Sequence, residues 1–180
     1  MADKWKQFVK DNYPKLILFL YCLLLVYLMF FAFGRLERWD EYRYSLQIYS
    51  IPLWIPKHFS LNTMYLWGIS LGNLLLFAPF GLLLPLCFPR TCGKYGRGLL
   101  CFVLGITFVE LLQMLTRLGS FDVQDILVNS MGFSLGYAAW RLSLRSKTRA
   151  GQAVSFLAAG FLLTLLCLAG AQIVNHCLFY

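Results

Sequence analysis

Six polar and charged side chains recur at helical spacing inside two apolar stretches of the sequence. They are Glu110, Gln113 and Arg117 in the first stretch, and Asp122, Asp125 and Asn129 in the second. Steps of three and four residues place each set on one face of a helix. Carboxylate, amide and guanidinium groups can hold an ion, bind a polar ligand or transfer a proton, and each of them is costly in hydrocarbon. Both helix faces are therefore candidates for a functional site.

The connection between the two stretches is short enough to make a helical hairpin. If residues 118–121 form a tight turn, the two helices run antiparallel and their polar side chains pair as rungs. The predicted rungs join Arg117 with Asp122, Gln113 with Asp125, and Glu110 with Asn129. At about 1.5 Å of rise per residue, the rungs extend over roughly 10 Å of helix axis. They would reach from the membrane surface into the hydrocarbon, with Glu110 as the deepest charge.

The composition is that of a membrane protein. Hydrophobic residues make up 59% of the chain, aromatic residues 17% and charged residues 13%. This balance excludes a soluble globular domain, because most of the outer surface must face lipid. Five segments approach the roughly 20 apolar residues that cross a bilayer, namely residues 15–33, 64–88, 98–118, 123–142 and 154–174. We expect an all-α fold, a polytopic membrane helical bundle with about five transmembrane helices in a single domain over residues 1–180.

The distribution of lysine and arginine predicts the orientation of this bundle. Eleven of the 16 basic residues lie in the N-terminal segment and the alternate loops on the same side. Basic loops stay in the cytoplasm, so we expect the N-terminus inside, the C-terminus outside and the 118–121 turn at the exterior. The net charge of +8 follows from this bias and from attraction to anionic lipids. Membrane lipids are therefore the expected partners, and nucleic acid is not.

The second predicted span carries a further polar side chain, Asn73, at the depth expected for the middle rung. Phe77 and Phe80 fall close to the same helix face, and Pro79 removes a backbone donor and is expected to kink the helix. Asn73 could then form a hydrogen bond to the hairpin. We call Asn73 and the six side chains of the rungs the polar column.

The one long connection, residues 34–63, mixes charged residues with tryptophan, tyrosine and phenylalanine and contains Pro52 and Pro56. Such a segment suits the outer membrane interface. It is either an anchor at the level of the lipid headgroups or a lid over the polar column.

Three short blocks follow one another in a specific order along most of the chain. They are Asn73 with Phe77, Pro79, Phe80 and Gly81; then Glu110 and Gln113; then Phe121, Asp122, Asp125 and Asn129, followed by Gly132 and Gly136. Together they resemble the VanZ-like membrane proteins, a family named after a protein that confers resistance to teicoplanin. The resemblance implies a multi-pass protein of the bacterial cytoplasmic membrane that is connected with glycopeptide resistance or with the cell envelope. One departure lies in the first exterior loop, where the family often has an Asn shortly before a Pro-Phe pair and this chain has Pro52 and Leu53.

The polar column has three interpretations. In the first, it binds the polar head of an outer-leaflet lipid or a lipoglycopeptide, because ionisable residues inside a membrane mark functional sites. In the second, its members form interhelical hydrogen bonds, worth only about 1 kcal/mol each, while Gly132 and Gly136 let the fourth span approach a neighbour closely. We favour binding over a purely structural role.

In the third interpretation the protein is a membrane-embedded enzyme acting on a lipid-linked phosphate or an envelope precursor. Glu110, Asp122 and Asp125 would then form an acid–base pair or supply oxygen ligands to Mg²⁺ or Ca²⁺. The column contains no histidine, no nucleophile beside a base and no phosphate-binding glycine loop. No catalytic residue is therefore assigned, and no cofactor is expected apart from such an ion. His58 and His176 are expected at the surface, so no transition-metal site is predicted.

Overall fold

The protein is described from a computed structural model, which covers residues 2–32, 42–48, 50–53 and 60–178. Its elements in chain order are α1 (Ala2–Phe30), β1 (Arg43–Ser45), α2 (Leu61–Cys87), α3 (Pro89–Cys92), α4 (Tyr95–Leu115), β2 (Ser120–Asp122), α5 (Val123–Ser143) and α6 (Arg149–Leu178). The all-α helical bundle is confirmed. Of the 34–63 connection, residues 34–41, 49 and 54–59 lie outside the described residues, including Tyr49 and Pro56.

Four helices in the described ranges are long and apolar enough to cross a membrane. These segments are Asn12–Phe30 of α1 and the whole of α2, α4 and α6. Helix α5 coincides with the fourth predicted span but is not among these four segments, and it carries Asp125, Asn129 and Arg141. Five spans and the inside-to-outside orientation therefore stay predictions. Helices α1 and α6 are longer than the spans predicted for them, because a helix continues through the polar residues that flank its apolar segment.

Helices α2 and α5 form the most extensive contact in the described structure. Their backbones touch at three glycines. A Cβ atom at Gly132 would overlap the carbonyl of Leu74, and one at Gly136 would overlap the carbonyl of Ala78. From the opposite side, a Cβ atom at Gly81 would overlap the backbone of α5. The partner of the small-residue pair on α5 is thus α2, which contributes a glycine of its own.

Aromatic rings fill the space beside this contact. Phe77 of α2, Phe102 of α4 and Phe133 of α5 are 4%, 5% and 0% exposed. The ring of Phe102 stacks on Phe133 at 5.0 Å and meets Phe77 edge-on at 5.8 Å, both within the range of favourable aromatic pairs. Phe80 extends the cluster to α1, where its ring meets that of Tyr21 at 5.6 Å. The predicted structural residues Phe77 and Phe80 thus join three of the long helices, and α2 runs through Pro79 without a break.

We expect Gly136→Ala to destabilise the protein by about 2 kcal/mol or more, because the added methyl group has only backbone to displace. Gly105→Ala is the matched control, since a Cβ atom at Gly105 in α4 meets no heavy atom of the described structure within 4 Å. The control should keep or raise the midpoint of thermal unfolding in detergent, because alanine favours helix over glycine. Equal midpoints for the two variants would contradict the close α2–α5 contact.

Candidate functional site

A cavity of about 680 Å³ lies at the end of the bundle where α1 and α4 end and α2 and α5 begin. Six members of the polar column line it, namely Asn73, Glu110, Gln113, Arg117, Asp125 and Asn129. Its other walls are largely apolar and come from the last turn of α1, the first half of α2 and residues 118–120, with Arg43 beside them. Side chains that the sequence places on three separate helices therefore share one space.

Asp122 is the member of the column that does not line the cavity. It is the residue before α5, and its carboxylate accepts a hydrogen bond from the backbone N–H of Gln124 at 2.8 Å. A carboxylate at this position satisfies a donor that the helix leaves open and favours the positive end of the helix dipole. Asp122 thus has a local structural role at the start of α5.

The deep part of the cavity is formed by buried polar side chains. Glu110, Gln113 and Asn129 are 2%, 2% and 1% exposed. Gln113 donates from Nε2 to the backbone carbonyl of Met29 at 2.7 Å. This carbonyl belongs to the last turn of α1, where the final carbonyls of a helix need partners from outside the helix. The contact was not among the predicted rungs, and it ties α1 to the wall of the cavity.

Helix α2 reaches the same wall through Asn73. Its Nδ2 donates to Oδ1 of Asp125 at 3.4 Å, a long hydrogen bond. This is the link between the second span and the hairpin that the sequence predicts. Four residues after Asp125 on α5, Asn129 also lines the cavity, and its Oδ1 is buried and has no hydrogen-bond partner among the described residues. A buried acceptor without a donor is costly, which marks this point of the cavity as a place for a donor group.

Arg117 lies at the mouth of the cavity in an unusual backbone conformation. Its φ is 60°, and its N–H bonds to the carbonyl of Met114 at 3.0 Å just beyond the end of α4. Glycine usually occupies such a position, because a Cβ atom is disfavoured there. The guanidinium group stands over the ring of Tyr42, with its Cζ atom 4.6 Å from the ring centroid. The two side chains of the predicted outermost rung, Arg117 and Asp122, thus make other contacts.

Part of the long loop also reaches the mouth. Strand β1 pairs in parallel with β2, with Arg43 opposite Ser120 and Ser45 opposite Asp122. Arg43 thereby joins the lining of the cavity. The described part of the loop therefore borders the polar column, and both the anchor and the lid interpretations stay predictions.

The cavity contains two carboxylates, those of Glu110 and Asp125. Within residues 2–32, 42–48, 50–53 and 60–178, no group of three or more His, Cys, Asp or Glu side chains is arranged to hold a metal ion. The arrangement can offer cationic groups at the mouth and acceptors deeper in the same space.

The family described as VanZ/LLP1 matches residues 18–144, well over half of the chain. The chain belongs to the VanZ/LLP1 family. It is also 34% identical over 73 residues to Protein VanZ of Enterococcus faecium, an alignment that covers 41% of this chain and 44% of that protein. No solved structure matches the chain.

In this VanZ/LLP1 protein, one residue that positions the mouth lies beyond the matched region. Asn175 of α6 is 3% exposed, accepts from the N–H of Ile51 at 2.7 Å and donates to its carbonyl at 2.8 Å. Two residues further on, Leu53 is fully buried in a cluster with Leu74 and Val128. The loop that carries Arg43 is therefore held against the bundle by α6.

Sequence reasoning missed both Arg43 and Asn175. Arg43 was counted only for orientation, and nothing local in a three-residue strand reveals its partner. Asn175 lies one residue beyond the predicted span 154–174, so the criterion that singles out Asn73 did not include it, although α6 continues past it to Leu178.

We expect Asn175→Leu to release the loop, because it removes two hydrogen bonds and leaves the backbone of Ile51 without its partners. The cost should be about 1–2 kcal/mol. Limited digestion with trypsin, followed by mass spectrometry, should show faster cleavage after Arg43. His176→Leu is the control, since it makes a similar change at an exposed neighbour. Unchanged cleavage in Asn175→Leu would show that α6 does not hold the loop.

Proposed function

We propose that this membrane protein acts at the outer face of the bacterial cytoplasmic membrane, where its cavity binds the polar head of an outer-leaflet lipid or of a lipoglycopeptide. By occupying or withholding that molecule, it would change susceptibility to teicoplanin-type antibiotics. The observation that carries the proposal is the shared cavity, which collects six polar side chains from three helices in one space. Its volume lies in the range of small-ligand sites, about 300–1,000 Å³.

The charges suit a head with both an anionic and a donor-rich part. Arg43 and Arg117 line the cavity from the strand and from the end of α4, where a phosphate or carboxylate could bind to their planar guanidinium groups. Glu110 and Asp125 line it from within α4 and the first turn of α5. These carboxylates favour hydroxyl or ammonium groups.

The purely structural interpretation explains only part of the column. The bond from Gln113 to Met29 joins two helices and fits it well. It does not account for the buried acceptor of Asn129, because an interhelical contact would leave no acceptor open. Membership of the VanZ/LLP1 family adds support for a role linked to glycopeptides, as the name of the family's resistance protein suggests.

The second candidate function is catalysis on a lipid-linked phosphate. It is favoured by one observation, the presence of both Glu110 and Asp125 in the lining, which could act as acid and base. With Asp122 engaged at the start of α5, the proposed set of three carboxylates is reduced to two. Binding requires fewer groups and is the function that we put first.

The test compares two single-charge substitutions three residues apart. Asp125→Asn removes a charge from the cavity wall, whereas Asp122→Asn removes one from the start of α5 and keeps a side chain that caps helices well. In a teicoplanin-sensitive Gram-positive host, we expect resistance from the wild type and from Asp122→Asn. For Asp125→Asn we expect an inhibitory concentration at least about fourfold lower, because an ionisable side chain inside a membrane marks a functional site.

Immunoblots of the membrane fraction must show equal amounts of the three proteins. If Asp125→Asn gives the same resistance as the wild type at equal abundance, the cavity has no part in resistance. A well-expressed wild type without resistance would show that the phenotype suggested by the family name does not extend to this protein.

A further inference from the structure

Two glycines of α2 leave an open groove at the side of the cavity. Gly68 and Gly72 lie one helical turn apart, both line the cavity, and both are exposed. A Cβ atom at either position would meet no heavy atom of the described residues within 4 Å. They differ in this from Gly81 on the same helix, whose missing side chain admits the backbone of α5. Helix packing therefore does not explain Gly68 and Gly72, although each glycine costs a helix about 0.5–1 kcal/mol.

The walls of this groove are apolar and belong to two membrane-spanning segments. Leu28 and Met29 come from the last turn of α1, and Tyr65 and Ile69 come from the first half of α2. Tyr65 and Ile69 are 59% and 44% exposed, so the groove opens on the outside of the bundle, on an apolar face. It is continuous with the polar wall, because the same cavity includes Asn129 and Gln113. A molecule in the bilayer could thus enter sideways between α1 and α2.

A second observation points to what such a molecule carries. Asn129 is 1% exposed, lines the cavity and has an Oδ1 atom without a hydrogen-bond partner in the described structure. An acceptor calls for a hydroxyl or N–H donor. At the mouth, Arg43 and Arg117 call for an anionic group. An apolar groove, a cationic mouth and a buried acceptor together describe an amphiphile.

We propose that the occupant is a phospholipid with a hydroxylated head, and that it enters from the membrane between α1 and α2. One hydrocarbon chain lies in the groove at Gly68 and Gly72, the phosphate faces Arg43 and Arg117, and a head hydroxyl donates to Asn129. The inference rests on the binding function proposed above and adds the route of entry and the class of ligand to it. The two glycines then determine whether the lipid can enter, since any larger side chain would occupy the space of its hydrocarbon chain.

The experiment measures binding of phosphatidylglycerol to the purified full-length protein in detergent by native mass spectrometry. Gly72→Leu fills the groove, and its Cβ atom would meet no heavy atom of the described residues within 4 Å, so folding should be preserved. Gly105→Leu on α4 is the matched control, because it makes the same change in open space away from the cavity. Diacylglycerol with the same chains tests the need for the phosphate, and Arg43→Gln tests the mouth.

We expect Gly72→Leu and Arg43→Gln each to weaken binding of phosphatidylglycerol at least about tenfold, which is 1.4 kcal/mol, with no change for Gly105→Leu. Diacylglycerol should bind the wild type at least about tenfold more weakly than phosphatidylglycerol. Equal weakening by Gly72→Leu and Gly105→Leu would overturn the inference.

Two further outcomes separate this inference from the proposed function. If Arg43→Gln weakens binding and Gly72→Leu does not, the cavity binds a head but the groove holds no chain, so only the inference fails. If the wild type binds phosphatidylglycerol no better than diacylglycerol and none of the variants matters, the phospholipid is wrong, and the resistance assay with Asp125→Asn still decides the proposed function. A wild-type dimer that Gly72→Leu dissociates would show that the groove is an interface between two copies, which also overturns the inference.

Discussion

The contact between the backbones of α2 and α5 determines where the polar groups of this protein meet. Gly132 and Gly136 let the carbonyls of Leu74 and Ala78 approach α5 without an intervening side chain. Because Asn73 precedes Leu74 and Asn129 lies three residues before Gly132, the same contact brings these two amides into one cavity. A side chain at either glycine would push the helices apart and separate the two amides. Tight packing and the polar site are thus consequences of one constraint.

Inside a membrane, the polar groups of the backbone and side chains must find their hydrogen-bond partners within the protein. Gln113 donates a hydrogen bond to a carbonyl in the last turn of α1, and Asp122 accepts one from a backbone N–H at the start of α5. Asn73 bonds to Asp125 across α2 and α5, whereas Oδ1 of Asn129 has no hydrogen-bond partner among the described residues. A bundle that needed hydrogen bonds only for cohesion would gain about 1 kcal/mol from each and would have no reason to keep this space open. The buried acceptor of Asn129 thus differs from Gln113 and Asp122, whose hydrogen bonds hold helix ends in place.

Helical spacing was sufficient to predict much of the site. Because residues three and four apart share a face, Glu110 and Gln113 could be grouped from the sequence alone. The small-residue pair on α5 likewise predicted that another helix packs closely against it. The spacing could not identify α2 as that neighbour, nor separate Asp122 from Asp125, which differ only in whether they precede or follow the start of α5. The sequence could not predict the pairing of β1 with β2 or the hydrogen bonds between Asn175 and Ile51. These contacts join segments far apart in the chain and leave no periodic pattern.

The contact of Asn175 with Ile51 also determines the order in which the parts of the cavity can form while the chain is being synthesised. The chain emerges from the ribosome N-terminus first, so α2 and α5 can pack through their glycines while α6 is still being made. The loop that carries Arg43 acquires its final support 124 positions later, when Asn175 arrives. The deep, amide-rich part of the cavity can therefore assemble early, and its cationic entrance is completed last. A nascent or truncated chain that stops at the end of α5 would have the interior of the site without its finished entrance.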